Sequence, residues 1–251
     1  MMNSQHCHLT KKQQEANEKN HSHQDQFAPL IFLSHAIPPI LLDKQNPYHL
    51  ALQKLGEFLS VFNFKGIIFI SPQYIKSNNF YVTNKQEYIT MQDHPYEEYF
   101  NFNYKAHGNN LMAQEIQEVM KLNNLIGKID DQWGLDHGVW MPLSILFPNL
   151  QYFISQISIV QTQDLQNYDS LIKSIQELRK MNYLVICSGQ DRDKKLIEYK
   201  KIPYFQDGNP LIDSFIPLYI ALRVAQKSYA KPVYEELYKN CISLNCYIFE
   251  Q

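Results

Sequence analysis

Glycine is scarce in this sequence, 8 residues in 251, less than half of the roughly 7% of average usage. Chains that cradle phosphates on glycine-rich loops need more, and neither GxGxxG nor GxxxxGK[ST] occurs. Arginine is scarcer still. Arg179, Arg192 and Arg223 are all there is, too few for a phosphate-reading cluster. Charge of one sign is also lacking, with 23 Lys+Arg against 25 Asp+Glu, which excludes a strongly basic nucleic-acid binder. No apolar run reaches the roughly 18 residues of a membrane span. Cys7, Cys187, Cys241 and Cys246 form no CxxC and no paired spacing. They read as free thiols of an intracellular protein, cytoplasmic by default or inside an organellar assembly.

What is present divides in two. Residues 1–28 are polar and carry His6, His8, His21 and His23 without the fixed spacing of a metal site. They lack the apolar stretch of a secretory signal. Having no Arg, and carrying Glu15, Glu18 and Asp25, they do not resemble an ordinary transit peptide either. Such a segment has too little apolar surface to order itself. The expectation is a polar N-terminal extension, 1–28, that belongs to an interface with other protein chains, followed by one domain, 29–251.

Within that domain, short apolar runs alternate with amphipathic stretches. Strands are predicted at Pro29–Ser34, Gly66–Ser71, Phe80–Thr83, Tyr152–Ile159 and Tyr183–Ser188. Helices are predicted at Tyr48–Phe62, with Leu52, Leu55, Leu59 and Phe62 at 3–4 spacing, and at Asn109–Leu122, with Leu111, Met112, Ile116 and Met120 inward. Val139–Leu146, Asp169–Met181 and Asp213–Ala225 complete the helices. This alternation predicts a single three-layer α/β domain, a mixed and mostly buried sheet flanked by helices. Ligands in such sheets lie at the carboxyl ends of the strands, where the sequence places His35, Gln73 and Ser188-Gly189-Gln190.

Four segments go beyond periodicity: SHAIP (Ser34–Pro38), ISPQY (Ile70–Tyr74), WGLDHGVWMPL (Trp133–Leu143) and NPLIDSFIPLYIAL (Asn209–Leu222). FISQISI (Phe153–Ile159) and VICSGQ (Val185–Gln190) lie between them. In this order, over roughly residues 30–250, they resemble the class III extradiol ring-cleaving dioxygenases, specifically the 4,5-DOPA dioxygenase branch. The resemblance implies a non-haem metal, iron(II) or sometimes zinc, that cleaves a catechol ring with dioxygen. It also implies metal-site histidines in four segments, and here the match departs. His35 keeps its histidine. Gln73 stands where the family reads S-A-H-W, Asp193 where it reads S-G-x-x-x-H-N, and Ser214 where it reads N-P-T-x-E-H. His137 of the DHG segment is retained, which in the family lies beside the substrate. Asp193 and Asn209 are only 16 residues apart, where the family has a longer pocket-covering segment, and Lys194 and Lys195 bring cations beside the former metal position.

Amide and hydroxyl groups are poor replacements for imidazole on iron(II) or zinc. By contrast Gly134, Gly138, Pro142, Gly189, Pro210 and Pro217 all match the family. The expectation is therefore a pseudoenzyme: a vestigial site of His35, Gln73, His137, Asp193 and Ser214, no metal, no cofactor, and a structural or accessory role in a protein assembly. Two other readings stand beside it. One is an active enzyme reworked around His35, Asp193 and His137, with His137 as acid/base. The other is a non-catalytic binder of small aromatics lined by Tyr74, Trp140 and His137.

Overall fold

The inner strands are Ile-, Val-, Leu- and Phe-rich because extended backbone lets branched side chains pack on both faces of a covered sheet. The computed structural model describes residues 27–99, 101–162, 164–189, 212–226, 229–238 and 242–250. In chain order its strands are β1 (Leu30–Ser34), β2 (Gly66–Ile70), β3 (Ile75–Lys76), β4 (Phe80–Thr83), β5 (Glu87–Tyr88) and β6 (Ala106–His107). There follow β7 (Gly127–Asp130), β8 (Ile154–Gln156), β9 (Ile159–Val160), β10 (Tyr183–Gly189), β11 (Tyr229–Tyr238) and β12 (Ile242–Glu250). The helices are α1 (Pro38–Leu41), α2 (Pro47–Leu59), α3 (Asn110–Leu122), α4 (His137–Leu146), α5 (Asp169–Lys180) and α6 (Ile212–Ala225).

The main sheet has the order β11-β12-β1-β10-β2-β8. β1, β10, β2 and β8 run parallel, and β12 closes against β1 antiparallel. Successive side chains point to opposite faces, so one sheet feeds two cores. Leu30, Phe32, Ile68, Ile70, Val185 and Cys187 pack with residues of α3, α5 and α6. Ile31, Leu33, Ile67, Phe69, Leu184 and Ile186 pack with residues of α2 and α4. This is the three-layer α/β domain expected. Helix entry is locally encoded: the Asn46 side chain accepts the Tyr48 N–H, and Asn109 accepts from Leu111 and Met112. α2 and α4 approach so closely that a Cβ on Gly56 would lie 2.0 Å from the Leu146 carbonyl oxygen.

The structure corrects the sequence reading at three places. Leu111 is 74% exposed, because the inward stripe of α3 runs through Met112, Ala113, Ile116, Val119 and Met120. The strand expected over Tyr152–Ile159 is broken: after β8, Ser158 N–H donates to Tyr81 O, and β9 pairs with β3 instead. The sequence pattern also does not announce the β11–β12 hairpin, since Pro232, Glu235 and Glu236 interrupt any alternation. β11 tolerates them as the outermost strand, with a register shift between Pro232 and Tyr234.

The extension lies outside the described residues except for Phe27 and Ala28. Ala28 is already buried, its N–H donating to Arg179 O while its carbonyl accepts from Arg179 Nε at 2.8 Å. Cys187 and Cys246 are buried free thiols, pushed up by burial; Cys7 and Cys241 lie outside the described residues. Among those residues no helix is long and apolar enough to cross a membrane.

Candidate site at the strand ends

The parallel strands end at one edge, and the residues that follow them meet there. His35 follows β1, its N–H donating to Gly189 O of β10 at 3.0 Å. Gln73 sits in the turn after β2, its N–H donating to Ser71 Oγ at 3.2 Å. His137 is the first residue of α4. Its ring lies 5.9 Å from the His35 ring, centroid to centroid, and its Nε2 lies 3.4 Å from Gln73 Nε2. The structure thus brings together His35, Gln73 and His137. Ser214, half-buried on α6, comes close through its backbone: a Cβ on Gly189 would lie 2.6 Å from the Ser214 carbonyl oxygen. Asp193, with Lys194, Lys195 and Asn209, lies outside the described residues.

Three residues that the sequence reading did not single out complete the site. Asp93 accepts the His137 backbone N–H at 3.0 Å and pairs with His137 Nδ1 at 2.9 Å. His94, beside it, has its ring 6.0 Å from that of His137 and accepts the Tyr96 N–H at Nδ1. Asp136 is fully buried, accepting from Ser71 Oγ at 2.6 Å and from Trp133 Nε1 at 3.3 Å. The signal for the first two was a bare Asp-His-Pro in an irregular loop, 44 residues from His137. No spacing rule links such a loop to a distant helix.

The electrostatics follow from burial and pairing. Burial and the neighbouring His137 hold the His35 imidazole down at about 4, against the Gly189 hydrogen bond and the charge of Asp93. Its Nδ1 is buried without a hydrogen-bond partner among the described residues. Burial would lower His137 as well, but the hydrogen bond and charge of Asp93, with the charge of Asp136, raise it above its ordinary value. Burial, reinforced by Asp93, pushes the Asp136 carboxyl up to about 6 despite the Ser71, His137 and Trp133 contacts. His94 is lowered by burial and by His137. The arrangement can hold and share protons at a partly open cluster.

Whether it could hold iron(II) or zinc depends on donor chemistry. Structural and catalytic zinc take three or four His, Cys or carboxylate ligands at about 2.0–2.3 Å. Here His35 offers one unpartnered nitrogen, while the two nitrogens of His137 face Asp93 and Gln73. Gln73 contributes an amide and Ser214 a hydroxyl. Among the described residues no group of three His, Cys, Asp or Glu is placed to hold a metal ion. The described donors alone do not make up such a set. Tyr74 and Trp140, expected around an aromatic ligand, are 0% and 1% exposed. Their faces are taken by Trp133 at 4.7 Å and Phe102 at 4.8 Å.

A family model described as the catalytic LigB subunit of aromatic ring-opening dioxygenase matches residues 29–192. The chain is 23% identical to a 4,5-DOPA dioxygenase extradiol-like protein of Schizosaccharomyces pombe, over 83% of this chain and 89% of that one. It is 25% identical to a 4,5-DOPA dioxygenase extradiol of Mirabilis jalapa, over 63% of this chain and 60% of that one. The crystal structure of an uncharacterized protein from Escherichia coli K12 superposes with a TM-score of 0.69 at 20% identity, covering 88% of this chain and 99% of that one. At that identity the likeness speaks for the fold alone.

Proposed function

We propose, from the premise that this chain belongs to the family of the catalytic LigB subunit of aromatic ring-opening dioxygenase, that it has kept the fold and given up the metal chemistry, and that it serves as an accessory subunit of a protein assembly. The observation that carries this reading is the contact between Gln73 and His137. At a position where the resemblance calls for a metal-binding histidine, an amide lies 3.4 Å from His137 Nε2, and an amide is a weak ligand for iron(II) or zinc. Of the three described positions where the resemblance calls for a metal-site histidine, His35 alone keeps it, and one imidazole falls short of the three or four ligands that such an ion takes. The polar extension of 1–28 supports the accessory role, because its composition gives it little to bury against its own domain.

The pairing of Asp93 with His137 favours a second reading, an enzyme with a reworked site. A carboxylate on Nδ1 fixes the imidazole tautomer and tunes its proton affinity, as acid–base catalysis requires. Metal content and oxygen uptake with a panel of catechols, read on one preparation of the full chain, separate the two. The accessory reading expects far less than one iron or zinc per chain and no uptake with added metal. Stoichiometric metal lost on His35→Ala, or turnover lost on H137A, would overturn it.

A further inference from the structure

The segments 71–76 and 130–137 lie side by side and are joined by a ladder of polar and aromatic contacts. At the buried end, Ser71 Oγ donates to Asp136 Oδ1 at 2.6 Å. The next rung is Gln73 against His137 at 3.4 Å. Then the Tyr74 ring stacks on Trp133 at 4.7 Å while its hydroxyl donates to Asp130 Oδ2 at 2.8 Å. The outermost rung is Lys76, whose Nζ lies 2.9 Å from the same Asp130 Oδ2. Trp133 ties the ladder lengthwise, its Nε1 donating to Asp136 Oδ2.

Lys76 does more than pair with Asp130. Its ammonium lies 5.3, 5.0 and 5.6 Å from the ring centroids of Tyr74, Tyr81 and Trp133, all within the roughly 6 Å reach of a cation–π contact. Three rings and a carboxylate thus enclose one of the chain's own side chains, with 30% of the lysine side chain still exposed. Burial would raise the Asp130 carboxyl, but Lys76, the Gln132 and Trp133 N–H groups and the Tyr74 hydroxyl hold it down at about 2. Asp130 therefore stays charged opposite the ammonium.

The rung that belongs to the candidate site is also the weakest. A single long contact between an amide and an imidazole does not fix its own register, and the rungs on either side must do so. On the inner side that is Ser71–Asp136. On the outer side the two residues of β3 pair with β9, Tyr74 O and Lys76 O accepting the Ile159 and Gln161 N–H groups, and past Tyr74 the side-chain hold on the segment is the Lys76 enclosure. The geometry points to Lys76 as a positioning residue for the candidate site: enclosed by Tyr74, Tyr81, Trp133 and Asp130, it holds Gln73 in register against His137. This holds whether or not the site takes a metal, so it stands or falls apart from the proposed function.

The test uses the full chain, isotope-labelled, with solvent exchange of the Gln73 side-chain amide and His137 ring protons read by NMR. Lys76→Met should accelerate that exchange about tenfold or more as the contact opens. Lys65→Met serves as the control, because it removes a half-exposed lysine of the same kind, paired with Glu115 and lying over the Tyr183 ring, at a place remote from the ladder. It should leave the exchange unchanged. If K76M fails to fold, Tyr81→Leu removes one wall of the enclosure and should accelerate the same protons. Unchanged exchange in K76M (or in Y81L where K76M does not fold), or equal acceleration in K65M, would overturn the assignment.

Discussion

The strand bed and the loops over its carboxyl ends obey different rules of substitution. Every residue of β1, β2 and β10 is buried, nearly all are apolar, and each packs with many neighbours at once. Volume decides what such positions tolerate, and one apolar residue can stand in for another at modest cost. Around the site, in loops and at the end of β7, Gln73, Asp93, Asp130 and Asp136 are each held by a few named partners. There the identity of the atom decides. A change of one side chain, imidazole to amide, is enough to alter what a site can ligate. Distant relatives can therefore share the bed while differing entirely in what the loops do.

The largest effect should come from the bed. Ile186 is fully buried in β10, between β1 and β2. Ile186→Ala removes buried methyl groups and leaves a cavity that a flanked central strand cannot close. Urea denaturation should report a loss of about 2–5 kcal/mol, with the His137 environment little changed. A loss well under about 1 kcal/mol would break the comparison, because volume would then not be what the bed is selected for.

The same division decided what could be read in the sequence. PLIFLS, GIIFIS and YLVICS announce the inner strands because burial on both faces demands continuous apolar runs. Leu52, Leu55 and Leu59 announce α2 because one buried helix face demands apolar residues at 3–4 spacing. His35, Gln73 and His137 were legible through the motifs that carry them. Asp93 and Asp136 were not, because a carboxylate matters here through a partner that the fold alone brings near. Leu111 was misread because Met112, Ile116 and Met120 already define the inner stripe, and the residue just before Met112 is turned about 100° away from it, on the outer face. The β11–β12 hairpin escaped because an edge strand accepts Pro and Glu, so its pattern is weak where its structure is not.

A middle-sized effect should come from the loops. Asp93→Asn keeps the shape but replaces the charged partner of His137. The expected loss is roughly 1–2 kcal/mol, the usual cost of weakening a part-buried, charge-assisted hydrogen bond. Its pH dependence has a definite sign. Folding raises His137 above its ordinary 6.5, so the protonated ring stabilises the fold fully below that value. This contribution fades as pH rises through the raised midpoint. The stability difference between wild type and D93N should therefore be largest in mildly acidic buffer and shrink toward alkaline pH. A difference that grows with pH would mean that Asp93 serves the neutral ring.

The smallest effect should come where the two regions meet. Ser188 lies in β10 opposite Leu33, fully buried like the bed, yet among the described residues its hydroxyl has no hydrogen-bond partner. That oxygen lies 3.3 Å from where a Cβ on Gly138 would fall, against the first turn of α4. By the rule of the bed, Ser188→Ala removes an unsatisfied polar group at almost no cost in volume. It should be neutral or stabilising by up to about 1 kcal/mol. By the rule of the loops, the hydroxyl has a role in the site, through a bridging water or a bound molecule, and its loss should cost more than about 1 kcal/mol. Thermal or urea unfolding of S188A thus assigns the residue to one region or the other. The expected outcome is the bed: Ser188 is inherited with its strand, and the site begins one residue later, at Gly189, where the His35 N–H is held.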